Sequence, residues 1–75
     1  MRLSNIDLKA LYFLQKMWFY KNHMDNVYLI DEKEYQRLKN FHDRTNDQYL
    51  ELTKNWTDQH HNFIRKAFNK SYENR

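Results

Sequence analysis

The sequence predicts an all-α protein, a hairpin or small bundle of two or three helices assembled as a homo-oligomer. Three observations predict it. The 75 residues contain no glycine and no proline, which removes every tight hairpin that relies on Asn-Gly and most all-β designs. Two helix starts are each marked by both a capping box and a hydrophobic staple. The apolar residues between them recur at helical spacing.

The first start is Ser4. Asp7 follows three residues on, and Leu3 and Leu8 stand at the staple positions. A helix is expected over residues 5–21. At about 100° per residue, Leu3, Ile6, Ala10, Leu11, Phe13, Leu14, Met17, Trp18 and Tyr20 cover about half its circumference. Leu8, Tyr12 and Phe19 form a second apolar strip. A helix at the edge of a small domain usually carries an apolar stripe of roughly 100°. The excess assigns Ile6, Ala10, Phe13, Leu14, Met17 and Trp18 to an interface between copies. Aspartate at Phe13 and Met17 together is then expected to dissociate the assembly.

Residues 21–26 are expected as a polar connector, with Asn22 or Asn26 in the left-handed conformation. Residues 27–30, Val-Tyr-Leu-Ile, are β-formers, expected as a short extended segment over the core. The second start is Asp31, with Glu34 in the box and Ile30 and Tyr35 as the staple. Tyr35, Leu38, His42, Thr45, Tyr49, Leu52, Trp56, Gln59 and Phe63 follow in alternating steps of three and four. That phase predicts one helix over residues 32–70, or two with a break near 44–46. There, residues 40–47 (NFHDRTND) compete with helical hydrogen bonds, and Thr45 with Gln48 forms a third box.

The functional expectations follow from composition. With no cysteine there is no disulfide and no thiolate metal site. No stretch approaches the ~20 apolar residues of a membrane-spanning helix, and no secretion signal is visible. The expected setting is the cytoplasm, without membrane association. The net charge of +3 comes from 13 basic and 10 acidic residues, which is milder than a nucleic-acid binder usually shows.

No cofactor, metal or catalytic residue is assigned. His60 and His61 are adjacent, so on a helix they point about 100° apart. Asp58 and His61 have the i, i+3 spacing of carboxylate–histidine sites but few glutamates to complete one. Arg37 and His42 resemble the R-x4-H spacing of some helical ribonucleases, over six residues only. The plainer reading puts His42 in the seam and Arg37 in solvent.

His61, Arg65, Lys66 and Lys70, near Phe68 and Tyr72, are the candidate phosphate contacts for nucleic acid or a nucleotide. Cations also gather at helix C-termini for dipole reasons alone. The leading expectation is instead a non-enzymatic interaction protein that binds a protein partner, an accessory regulator or inhibitor of the kind phages carry. Its motive is the aromatic load, 13 of 75 residues, more than a thin core holds. Tyr12, Phe19, Tyr28 and Tyr72 are the expected exposed anchors.

Overall fold

The computed structural model describes residues 3–73, and the side chains of residues 3–70. It contains three helices: α1 (Asn5–Val27), α2 (Glu32–Leu52) and α3 (Asp58–Glu73). Among the described residues there is no strand.

α1 starts as its sequence dictates. The Asp7 amide donates to Ser4 Oγ at 3.1 Å, and the Ser4 amide donates to Asp7 Oδ2 at 3.0 Å. Both arms of the capping box are closed. The helix does not stop at residue 21. It continues through the expected connector to Val27, because Met24 and Val27 are half-buried and extend the packed face. Asparagine and aspartate disfavour helix only by fractions of a kcal/mol, and burial of a Met and a Val outweighs that.

The left-handed residue is therefore neither Asn22 nor Asn26. It is Leu29, at φ 70°. Residues 27–30 form a type II turn rather than an extended segment. Tyr28 has φ −57° and ψ 129°, and the Ile30 amide donates to the Val27 carbonyl at 3.0 Å. This position ordinarily takes glycine or asparagine, and the chain has no glycine to put there. Leu29 and Ile30 are 89% and 82% exposed, so Ile30 closes no staple. Tyr35 packs instead on Tyr28, ring centroids 5.5 Å apart.

The Asp31 cap forms as expected, with the Glu34 amide 3.1 Å from Oδ1. α2 then runs back along α1. Tyr28 meets Tyr35, Tyr20 stacks on Phe41 at 5.8 Å, and Phe13 lines a groove with Leu52, which makes the pair antiparallel. The seam read from the sequence is the packed face: Tyr35, Leu38, His42, Thr45, Tyr49 and Leu52 are all buried or half-buried.

α2 passes straight through residues 44–46. Thr45 does not cap a helix; it is buried, and its hydroxyl donates to the Phe41 carbonyl at 2.9 Å. That bond satisfies the hydroxyl inside the helix. The break lies at residues 53–57 instead. Thr53 caps α2, its hydroxyl and amide both donating to the Tyr49 carbonyl. Thr57 opens α3 by accepting the His60 amide at 3.2 Å.

α3 begins beside the start of α1 and touches it over a short stretch. Ile64 is fully buried with Ala10, Phe13 and Tyr49, one or two residues from each helix. Leu3, Leu11, Leu14, Met17, Leu52, Trp56 and Phe63 surround this cluster. Ala10 and Phe13 are thus spent inside the chain, and aspartate at Phe13 would unfold it rather than merely separate copies.

The molecule is open for its size. Its radius of gyration is 13.9 Å, against roughly 11 Å for a compact chain of this length. It exposes 6253 Å², against roughly 5,100 Å² for a compact monomer of its mass.

Two stability predictions follow. Leu29→Gly relieves the left-handed strain without losing burial, and should raise stability by about 0.5–1 kcal/mol, or a few degrees in Tm. An unchanged or lower Tm would show that Leu29 is not strained in solution. Ile64→Ala empties the point where the three helices meet and should cost about 2–5 kcal/mol, enough to abolish cooperative thermal unfolding in a domain this small. Retention of a sharp transition within a few degrees of the parent would refute that view of the core.

Candidate functional site

Two regions gather side chains that could carry a function. The first joins α3 to α1. Asp7, the third residue of α1, turns inward and is 6% exposed. Its Oδ2 holds the Ser4 amide, and its Oδ1 lies 2.7 Å from His60 Nε2. His60 is fixed by Trp56, edge-on with ring centroids 4.3 Å apart, and has Phe63 at 6.0 Å. The Ser4 amide, followed by the His60 contact against the opposing effect of burial, holds the Asp7 carboxyl below its usual value of 3.8.

An aspartate–histidine pair invites a catalytic reading, but the third partner here is a helix cap. Ser4 Oγ accepts the Asp7 amide and bonds the aspartate's backbone, not the imidazole. A nucleophile has to sit within reach of the base it uses. The pair acts as a clasp between helices 53 positions apart in sequence. Among the described residues, no group of three or more His, Cys, Asp or Glu side chains is placed to hold a metal ion.

His61 points about 100° away from His60 and flanks the other side of Trp56. Its Nδ1 lies 3.4 Å from the Tyr49 hydroxyl, and Trp56 stands at 5.3 Å. Burial pushes the Tyr49 phenol up, while the nearby Arg65 guanidinium pulls it down. So of the four candidate phosphate contacts, His61 and Arg65 are gathered around Tyr49. Lys66 and Lys70 are exposed one residue position further round the helix. The structure does not bring the four together. Arg37 and His42 likewise stand apart, Arg37 bonded to Glu34 and His42 within 3.3 Å of Asp43.

The second region is the outward side of α1. Leu8, Tyr12 and Phe19 are each more than half exposed on the side away from α2 and α3. Gln15, Asn22 and Asn26 continue the same line, all exposed. Steps of four, three, four, three and four connect these six residues, so they form one seam along α1. Lys16 Nζ sits 5.4 Å from the Tyr12 ring centroid, and Phe19 packs on His23 at 4.4 Å.

Of the expected anchors, Tyr12, Phe19 and Tyr28 are exposed, and the side chain of Tyr72 lies outside the described residues. Of the residues expected between copies, Ala10 and Phe13 are buried in the chain, Leu14 and Met17 are half-buried against its core, and Ile6 and Trp18 keep about half their surface in solvent. Nothing in the sequence marks the Asp7–His60 clasp. Asp7 was accounted for by its capping box, and its second carboxylate oxygen carries no local sequence signal.

Among the described residues, no helix is long and apolar enough to cross a membrane. Compared with protein-family models, curated proteins and solved structures, the chain matches none.

The clasp predicts an acid sensitivity. Asp7 ionises more readily folded than unfolded, so its contribution is full above the unfolded value near 3.8 and is lost as pH falls below it. Asp7→Asn should lower stability at pH 7 by about 1 kcal/mol and flatten the loss between pH 4 and 2, read as Tm against pH. An equally steep acid loss in both proteins would place the sensitivity elsewhere.

Proposed function

We propose that this chain is a non-enzymatic interaction protein that binds a macromolecular partner along the outward seam of α1. What carries the reading is the company that Leu8, Tyr12 and Phe19 keep. They are large apolar groups in register on one rigid helix, not scattered singly as ordinary exposed apolar residues are. Aromatic side chains held on a rigid element lose little entropy on binding and supply much contact area.

The chain exposes roughly 1,150 Å² more than a compact monomer of its mass, spread over the whole molecule, and a stable interface takes about 800 Å² from each partner. Self-association is the narrower form of this reading, and it would use the outward seam rather than Ala10 and Phe13. The proposed setting is the cytoplasm, and the proposed role is that of a small accessory regulator or inhibitor such as phages carry.

Site-specific cross-linking tests it. A photo-reactive residue at position 12 or 19 should give one discrete adduct in cells, and the same group at exposed Lys39 on α2 should give none. An adduct of twice the chain mass would identify a second copy; any other mass would identify a separate partner. A folded protein that yields no adduct at either seam position, or the same adducts at all three, would refute the proposal.

A further inference from the structure

The seam on α1 has two unlike edges. In heptad terms Leu8, Gln15 and Asn22 take one core position, and Tyr12, Phe19 and Asn26 the other. One flank is then Lys9, Lys16 and His23, three basic side chains at seven-residue spacing. The opposite flank is Leu11, Trp18 and Asp25. Between Asp7, which is turned inward to His60, and Asp25, α1 carries no carboxylate.

The basic row is held against the seam. Lys16 lies over the Tyr12 ring, and His23 rests on Phe19. Lys9, at the near end, also lines a groove with Asp47 and Glu51 of α2.

The α1 of a second copy does not complement this row. In an antiparallel pair of α1 helices like flanks meet, so the row would face its own lysines. In a parallel pair opposite flanks meet, so Lys16 and His23 would face Leu11 and Trp18. Neither arrangement brings a carboxylate of α1 to the row. Like charges across a seam disfavour a pairing, and opposite charges select it.

We propose that the partner segment is an α-helix of another protein, with an apolar seam and, along one edge of that seam, carboxylates at seven-residue spacing. This rests on the reading that α1 is the binding face, and it adds the partner's chemistry. The apolar positions would cover Leu8, Tyr12 and Phe19, and the acidic edge would pair with Lys9, Lys16 and His23.

The test uses a displayed library of 21-residue helices with leucine at the seam positions. The three positions on each flank are drawn from Glu, Gln and Lys. Selection against the intact protein should enrich Glu along one flank. The selected helices should bind at least roughly threefold tighter than their Gln counterparts at low salt. Lys9→Glu with Lys16→Glu should turn the enrichment to Lys. Tyr12→Ala with Phe19→Ala, both exposed and so expected to leave the Tm unchanged, should abolish selection. Binders that depend on Tyr12 and Phe19 but show no Glu preference would overturn the acidic edge and leave the α1 interface standing. Binders indifferent to Tyr12 and Phe19, or no binders, would overturn both.

Discussion

Three helices converge on Ile64. That single aliphatic side chain of α3 is fully buried against Ala10 and Phe13 of α1 and Tyr49 of α2. Burying an isoleucine or a phenylalanine supplies about 1.5–3 kcal/mol, so a core of four residues leaves little margin. The rest of the architecture works around this limit. The α1–α2 pair adds a long half-buried seam, and the Asp7–His60 bond holds α3 where apolar packing alone is thin. A charged hydrogen bond of 2.7 Å that also completes a helix cap makes one carboxylate serve two contacts.

The same limit explains where the aromatic residues went. Tyr49, Phe13 and Trp56 sit in or against the core, and Tyr20 and Phe41 close the helix pair. Tyr12 and Phe19 do neither. They stand on the one side of α1 that no other helix of the chain covers. Surface that folding does not use remains for association, and its flanking charges govern which associations succeed.

Much of this was legible in the residues. The caps at Ser4 and Asp31 and the α2 seam rest on local spacing, and local spacing survives into the fold. The ends of α1 and α2 were harder to read. The run Lys21 to Asn26 looks like a linker by composition, yet Met24 and Val27 within and after it are half-buried on the packed face of a helix that continues through it. Residues 44–46 look like a break, yet Thr45 satisfies its own hydroxyl and turns it inward. The true break carried a signal, Thr57 with a polar first turn behind Trp56, but the continuing heptad phase masked it. At the candidate sites, exposure of Tyr12, Phe19 and Tyr28 followed from a simple excess of rings over core. The clasp did not, because it links residues 53 apart through a side-chain oxygen whose direction only the packed helices determine.

The separation of Asp7 and His60 also bears on the order in which the molecule assembles. The α1–α2 hairpin closes through a four-residue turn, and contacts between near neighbours in sequence form fast. The clasp joins residues 53 positions apart, and the hairpin shortens the loop it must close to the few residues between α2 and α3. α3 meets the rest of the chain over a short stretch, so of the three helices it gives up the least burial on leaving. Until it docks, Ala10, Phe13 and Tyr49 lie open along the finished hairpin. With α3 released, the hairpin would present a second apolar face, one that folding normally covers, beside the permanent one on α1.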